Sequence, residues 1–275
     1  MSSRAVRLRR GSAHVVRITL LLFTLLPVLW LLQMSFKTGV DAFRMPPLLI
    51  FTPTFENYLG LLQERFPKFF MNSVVVSLTT TGLSMLLGVP AAYAMARARF
   101  RGSAGLRLWI LFTRMVPPIA VALPFFLMFR TAGLLDTRLA LVIVYLTFNL
   151  GLVVWTMEVF FAGIPPSLEE AARIDGASVL RSFLKVSLPL SAPGLATTAI
   201  LCFLFSWNDF FFSLVLTRTQ AMTAPVGIIN FLNYEGWEWG KIAAGGTVVM
   251  LPVILFALLV RRYLISGLLT GAVRE

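Results

Sequence analysis

Charge is scarce in this chain of 275 residues: 13% are Asp, Glu, Lys or Arg, while 58% are hydrophobic. A soluble domain of that length carries about a quarter charged residues, so long stretches here have no solvated face. Cysteine and histidine are scarcer still, with Cys202 and His14 alone. No disulfide can close within the chain, and no Cys/His metal cluster can assemble. Acidic residues do not cluster, which argues against metal or acid–base chemistry. A phosphate loop is missing too. The nearest approach, Gly236 to Gly240-Lys241-Ile242, has the wrong spacing and no Ser or Thr after the lysine. ATP, if it is used, must be hydrolysed elsewhere.

What is present is long apolar runs. A helix needs roughly 20 such residues to cross a bilayer, and six runs qualify: 15–34, 70–94, 108–129, 139–160, 192–216 and 243–263. A β-barrel would alternate in segments of about ten residues, whereas these runs are apolar on every side. The expected class is all-α and polytopic, one transmembrane domain over 1–275. Prolines lie inside the runs at Pro27, Pro90, Pro117, Pro118, Pro124 and Pro252. Neighbouring helices can satisfy the carbonyls they free, and the third run, with three prolines, is expected to bend or unwind. The first run follows Arg4–Arg10 like a signal peptide but lacks a small-x-small cleavage site, so a retained helix is expected.

Basic residues set the orientation. With a cytoplasmic N-terminus, the inside segments hold fifteen Lys and Arg and the outside segments eight, a bias that places both termini in the cytoplasm. The net charge of +12 then needs only membrane lipid headgroups as partners, and no nucleic acid.

Two connections exceed simple turns. The outer segment 35–69 has the look of a short ordered lid or docking surface. The inner segment 162–191 reads as two short helices. Ser167-Leu168-Glu169-Glu170 has the form of a capping box, with Ser167 capping the amide of Glu170. The first helix is expected to end at Asp175-Gly176, glycine supplying the left-handed turn. The second would run from Ser178 to Val186 and stop before Pro189. Physics alone leaves open whether this is a docking knob or an amphipathic loop on the membrane surface.

The wording of the loop points to a partner. Glu170-Ala171-Ala172, three residues, Gly176, nine residues, Val186, one residue and Leu188-Pro189 resembles the EAA loop of binding-protein-dependent ABC importer permeases. Valine stands at 186 where that pattern most often has isoleucine. Ser35-Phe36-Lys37, Asn72-Ser73, Pro90-Ala91-Ala92-Tyr93-Ala94, Trp207-Asn208-Asp209-Phe210-Phe211 and the ending Gly267 to Arg274 resemble the six-helix subunit of maltose-type carbohydrate permeases. The resemblance implies a type I importer core. Its loop, with Glu169, Glu170, Ala171, Ala172, Asp175, Gly176, Leu188 and Pro189, would seat in a groove of a separate ATPase dimer. ATP and Mg would belong to that ATPase and no cofactor to this chain. A second, homologous permease subunit and an extracellular substrate-binding protein would complete the machine in a bacterial cytoplasmic membrane. In that family the tail can project back into the complex; a free end at Arg274-Glu275 is the other reading.

Polar groups inside the membrane are costly and are functional candidates. Asn149 is either an interhelical hydrogen bond or a hydroxyl contact in the substrate path. Trp207, Asn208 and Asp209 combine an aromatic platform with polar groups, which suits a sugar or polyol; the competing reading is helix packing and a pair with Arg114. Glu158 reads as interfacial. Trehalose, maltose and mannitol are all compatible, and the same machinery for glycerol phosphoesters, amino acids or oxyanions is the second reading. A membrane enzyme or a self-sufficient secondary transporter is the third.

Overall fold

The apolar runs fold as helices throughout the computed structural model, which describes the backbone of residues 3–98, 101–233 and 236–271 and side chains within 14–98, 101–232 and 238–259. In chain order the helices are α1 (Ser3–Ser35), α2 (Gly39–Phe43), α3 (Glu56–Gln63), α4 (Phe66–Arg97), α5 (Ser103–Met115), α6 (Pro118–Thr131), α7 (Arg138–Ala162), α8 (Pro166–Ile174), α9 (Val179–Ser182), α10 (Leu188–Leu190), α11 (Ala192–Trp207), α12 (Phe211–Leu216), α13 (Ala224–Gly227) and α14 (Trp239–Gly271). A π-helical turn, Phe183–Ser187, joins α9 to α10, and strands of two residues each, Leu232–Asn233 and Gly236–Trp237, pair antiparallel. Among the described residues, four helices are long and apolar enough to cross a membrane, and the number is six if each of the bent pairs α5/α6 and α9–α10/α11 is one span. Arg99, Arg274 and Glu275 lie outside the described residues, as do the side chains of Arg4–Arg10, Arg261 and Arg262.

Helices α1, α4, α6 and α14 continue through Pro27, Pro90, Pro124 and Pro252, as expected where neighbours satisfy the freed carbonyls. The third run breaks at Val116-Pro117, where α5 and α6 meet at 90°. The fifth run does not continue to 216. Its helix ends at Trp207, and Asp209 starts α12 by accepting the N–H groups of Phe212 (3.1 Å) and Ser213 (3.3 Å). A short acceptor side chain that bonds nearby amides competes with helix continuation, and here it wins. The last helix runs through Gly267–Gly271, so the start of the tail is helical and not an extended segment.

The chain divides into two compact units. In the first, 1–67 with 228–250, the segment after α1 is ordered. Asn57 of α3 donates to the carbonyls of Ser35 (2.9 Å) and Lys37 (2.8 Å), closing the end of α1. Phe36, Phe55 and Tyr58 form a ring cluster above it. Gly246 of α14 lets Leu31 approach, since a Cβ there would lie 3.3 Å from its Cδ2.

In the second unit, 68–227 with 251–275, α7 is the central helix. Ala140, Leu141, Val144, Val153, Met157 and Phe161 are fully buried, while Trp155 and Val159 leave one apolar strip exposed, as a helix apolar all round can do in a bilayer. One core gathers Val89, Met95, Met157, Phe161, Phe183 and Cys202; the other gathers Val76, Phe129, Leu141, Tyr145, Phe212 and Leu216.

The loop 217–224 is fixed by polar bonds. Asn72 accepts from Arg138 Nε (2.7 Å) and donates to the carbonyls of Gln220 (2.8 Å) and Met222 (2.9 Å). Asp136, at φ 57°, accepts the amides of Arg218, Thr219, Gln220 and Ala221 at 3.0–3.2 Å. Burial alone would raise its carboxyl, but those four N–H groups outweigh it and hold it down to about 2. A depressed carboxylate contributes stability above its unfolded value near 4 and loses it as pH falls through the folded value. The expected result is an unfolding midpoint that drops between pH 5 and pH 2, with a contribution of about 1 kcal/mol after solvent screening. Asp136→Asn tolerates the left-handed backbone yet sets an amide group against the four donors. Thermal unfolding of that variant should start lower and lose most of this pH dependence.

Candidate functional site

Two features stand out: an exposed helical knob and a cavity at two helix breaks. In the knob, α8 starts differently from the capping box read from sequence. Pro165 occupies the N-cap position without a side-chain bond and Pro166 the first helical position. Proline there has its φ pre-set and no N–H to satisfy, so the helix begins early and Ser167 falls inside the first turn. Glu170 is left exposed.

Its neighbour Glu169 turns inward and is 7% exposed. Oε1 accepts from Arg97 Nε (2.8 Å) and Ser187 Oγ (2.6 Å), and Oε2 from Tyr93 Oη (2.7 Å). Arg97 also donates to the carbonyl of Ile164 (3.0 Å). Burial raises the Glu169 carboxyl, but the hydrogen bonds from Ser187, Tyr93 and Arg97 outweigh it and hold the group below its ordinary range. Tyr93 and Arg97 sit four residues apart on the last turns of α4, on one face, and Ser187 comes from the π turn. One carboxylate thus ties α8 to both neighbouring elements.

The exit of α8 is a Schellman motif. Gly176 is at φ 87°, its amide bonds to the Arg173 carbonyl (3.1 Å), and the Ala177 amide bonds to the Ala172 carbonyl (2.9 Å). These are the two bonds that define the motif, and glycine carries the left-handed position without strain. Ser178 then caps α9 by accepting the Arg181 amide (3.3 Å). The second helix does not stop before Pro189 but continues to Leu190. The π turn shifts the hydrogen-bond register, so Pro189 falls in a fresh first turn where no N–H is required. Ala171, Arg173, Ile174 and Asp175 are exposed with Glu170, and Ile174 is 87% exposed. The surface of the knob is a ridge of mixed charge and apolar residues on a rigidly held base.

The cavity, about 230 Å³, is lined by Arg114, Val116, Pro118, Tyr145, Phe148, Asn149, Phe205, Ser206, Asp209 and Phe212. Its walls are the α5/α6 break, the α11/α12 break and one face of α7. Breaks inside spans expose backbone and polar groups, tolerated where they line a cavity. Asn149 is 2% exposed and donates to Ser206 Oγ (2.8 Å) and the Cys202 carbonyl (3.4 Å). It is therefore an interhelical bond and a cavity wall at once. Asp209 Oδ1 accepts from Tyr145 Oη (2.8 Å); among the described residues it forms no ion pair with Arg114. Arg114 lies over the Phe205 ring at 5.1 Å and donates to the Phe148 carbonyl at 3.3 Å.

Trp207 sits elsewhere than the sequence placed it. It is 1% exposed, between Phe203 and Phe70 at 5.5 and 5.4 Å, and the aromatic residues on the cavity are Tyr145, Phe148, Phe205 and Phe212. Asn208 is exposed and outside the lining. Glu158 pairs with Arg107 Nε at 2.5 Å. Tyr145, Phe205 and Ser206 carry no sequence signal of their own; they become visible once Asn149 and Asp209 are stacked on facing helices.

A multi-pass helical bundle with a polar cavity at paired helix breaks and an exposed knob at one end is the membrane component of a transporter. The chain belongs to the binding-protein-dependent transport system inner membrane component family, whose pattern matches residues 84–269. It is 42% identical over 271 residues to the trehalose transport system permease protein SugB of Mycobacterium tuberculosis, covering 97% of this chain and 98% of that one. It is 35% identical to the trehalose/maltose transport system permease protein MalG of Thermococcus litoralis, covering 97% and 98%. The crystal structure of a bacterial ABC transporter involved in the import of the acidic polysaccharide alginate superimposes with a TM-score of 0.79 at 29% identity, covering 96% of this chain and 99% of that one. The protein is thus a multi-pass inner-membrane permease subunit of an ABC importer, whose ATPase is a separate subunit.

Proposed function

We propose that this subunit imports a carbohydrate, a disaccharide of the trehalose or maltose kind or a polyol, delivered by an extracellular binding protein. The names of its relatives support that class, and so does the cavity. Arg114 stacked on Phe205, with Asn149 and Asp209 opposite, offers an apolar face beside hydroxyl-binding groups. The chain would supply half the pathway and a second homologous permease the other half. Both termini and the knob would lie in the cytoplasm, where the knob would seat in a dimer of ATPase subunits that bind ATP and Mg. Closure of that dimer would draw the knobs together and shift the spans, driven by the differential affinity of the two states.

The observation that carries this reading is the pair of adjacent glutamates. Glu169 is spent inside, fixing the base, while Glu170 is free on the exposed ridge with Ala171 and Ala172 beside it. Glu170→Ala is expected to lower substrate-stimulated ATP hydrolysis about tenfold in the assembled complex, the loss of one desolvated charge contact, with insertion and thermal unfolding unchanged. Gly176→Pro should uncouple more severely, since proline cannot adopt φ 87° and lacks the donor. Wild-type uptake and stimulated hydrolysis in both variants would overturn the assignment.

A further inference from the structure

A second cavity lies in the first unit, beyond the end of α1. It encloses about 450 Å³, almost entirely between apolar walls. Lys37 is part of its lining and is 1% exposed. Its Nζ faces two aromatic rings, Trp30 at 5.4 Å and Phe51 at 5.2 Å. No carboxylate among the described residues comes within 4.0 Å of it. Asp41 shares the cavity, but its carboxylate is engaged by Thr38 Oγ1 at 2.9 Å. Arg44 is on the wall as well, so the charged residues around the space sum to one positive charge. A buried ammonium without an anionic partner is costly, and ring faces compensate it only in part.

The level of the cavity says what would complete it. Lys37 comes two residues after Ser35, where the apolar span of α1 ends, and no residue of the most apolar stretch of that span is buried. Trp30 and Trp239 on the cavity wall are the residues that mark a membrane–water interface. At this depth the abundant anion is the phosphodiester of a lipid, whose chains can run down the open apolar side of α1. We propose that the cavity binds the phosphate headgroup of one phospholipid, with Lys37 as its cation.

The test uses the full-length permease in its assembled complex. It is exchanged against vesicles of phosphatidylglycerol or of a phosphate-free galactosyl diacylglycerol, and retained lipid is counted by native mass spectrometry. One tightly held phosphatidylglycerol per permease is expected, with little retention of the glycolipid. Lys37→Met should weaken retention about tenfold or more and Lys37→Arg should preserve it. Ala42→Trp, which fills the space and leaves Lys37 in place, should also abolish it, so a misfolded lysine variant does not decide the matter. Equal retention in Lys37→Met and wild type, or equal retention of the phosphate-free lipid, overturns the proposal. So does a photocrosslinker at Met45 that captures another subunit, because the cavity is then a protein interface.

Discussion

Glu169→Ala is expected to cost the purified protein about 3 kcal/mol or more of stability and to abolish coupled uptake. The side chain of Arg97 is 17% exposed. Removing the carboxylate leaves that guanidinium, the Tyr93 hydroxyl and the Ser187 hydroxyl without their shared acceptor. Breaking a buried pair from one side is far more damaging than removing both partners, and α8 would lose its attachment to α4 and to the π turn together. Glu169→Gln keeps a neutral acceptor and should fall between. The contrast with Glu170→Ala is the informative part: two adjacent glutamates, one failing by unfolding and the other by uncoupling. Thermal unfolding in detergent and uptake in reconstituted vesicles separate them. Because the Glu169 carboxyl is held below its ordinary range, its stabilisation is present above the unfolded glutamate value. It is lost as pH falls through the lowered folded value.

Asp209 is expected to give the second large effect. Its Oδ1 takes Tyr145 Oη and the amides that begin α12, so Asp209→Ala should both loosen the helix break and lower transport by about a hundredfold, some 3 kcal/mol in the limiting step. Asp209→Asn retains an oxygen acceptor at that position. Near-wild-type unfolding with transport reduced about tenfold is the expected result, since the charge facing the cavity is gone and the break is kept. Normal transport by Asp209→Asn in assembled complexes would make the residue a structural cap only.

Much of this was legible beforehand because bilayer physics leaves few solutions. Long apolar helices, the break in the proline-dense third run and the glycine turn at 176 are each dictated by local chemistry, and each appears. The failures share one cause. Ser167 read as a cap, the second loop helix as ending before Pro189, and the fifth span as continuous, because each reading weighed a residue against its neighbours in sequence. Pro166 setting the start of α8, the π turn ahead of Pro189 and the amides captured by Asp209 are decided by competing hydrogen bonds. Tyr93 and Arg97 meet Glu169 from more than seventy residues away, a distance no periodicity spans. Trp207 looked like a platform for sugar because its neighbours are polar, yet its ring fills the gap between Phe70 and Phe203.

As proposed above, this chain would be one half of the pathway of an importer whose ATPase is a separate subunit. Proteoliposomes holding the permease pair, with the ATPase, the binding protein and ATP each supplied or withheld, test it most directly. Accumulation of a labelled disaccharide only when all three are present is the predicted result. Accumulation by the permease subunits alone, driven by an ion gradient, would contradict it.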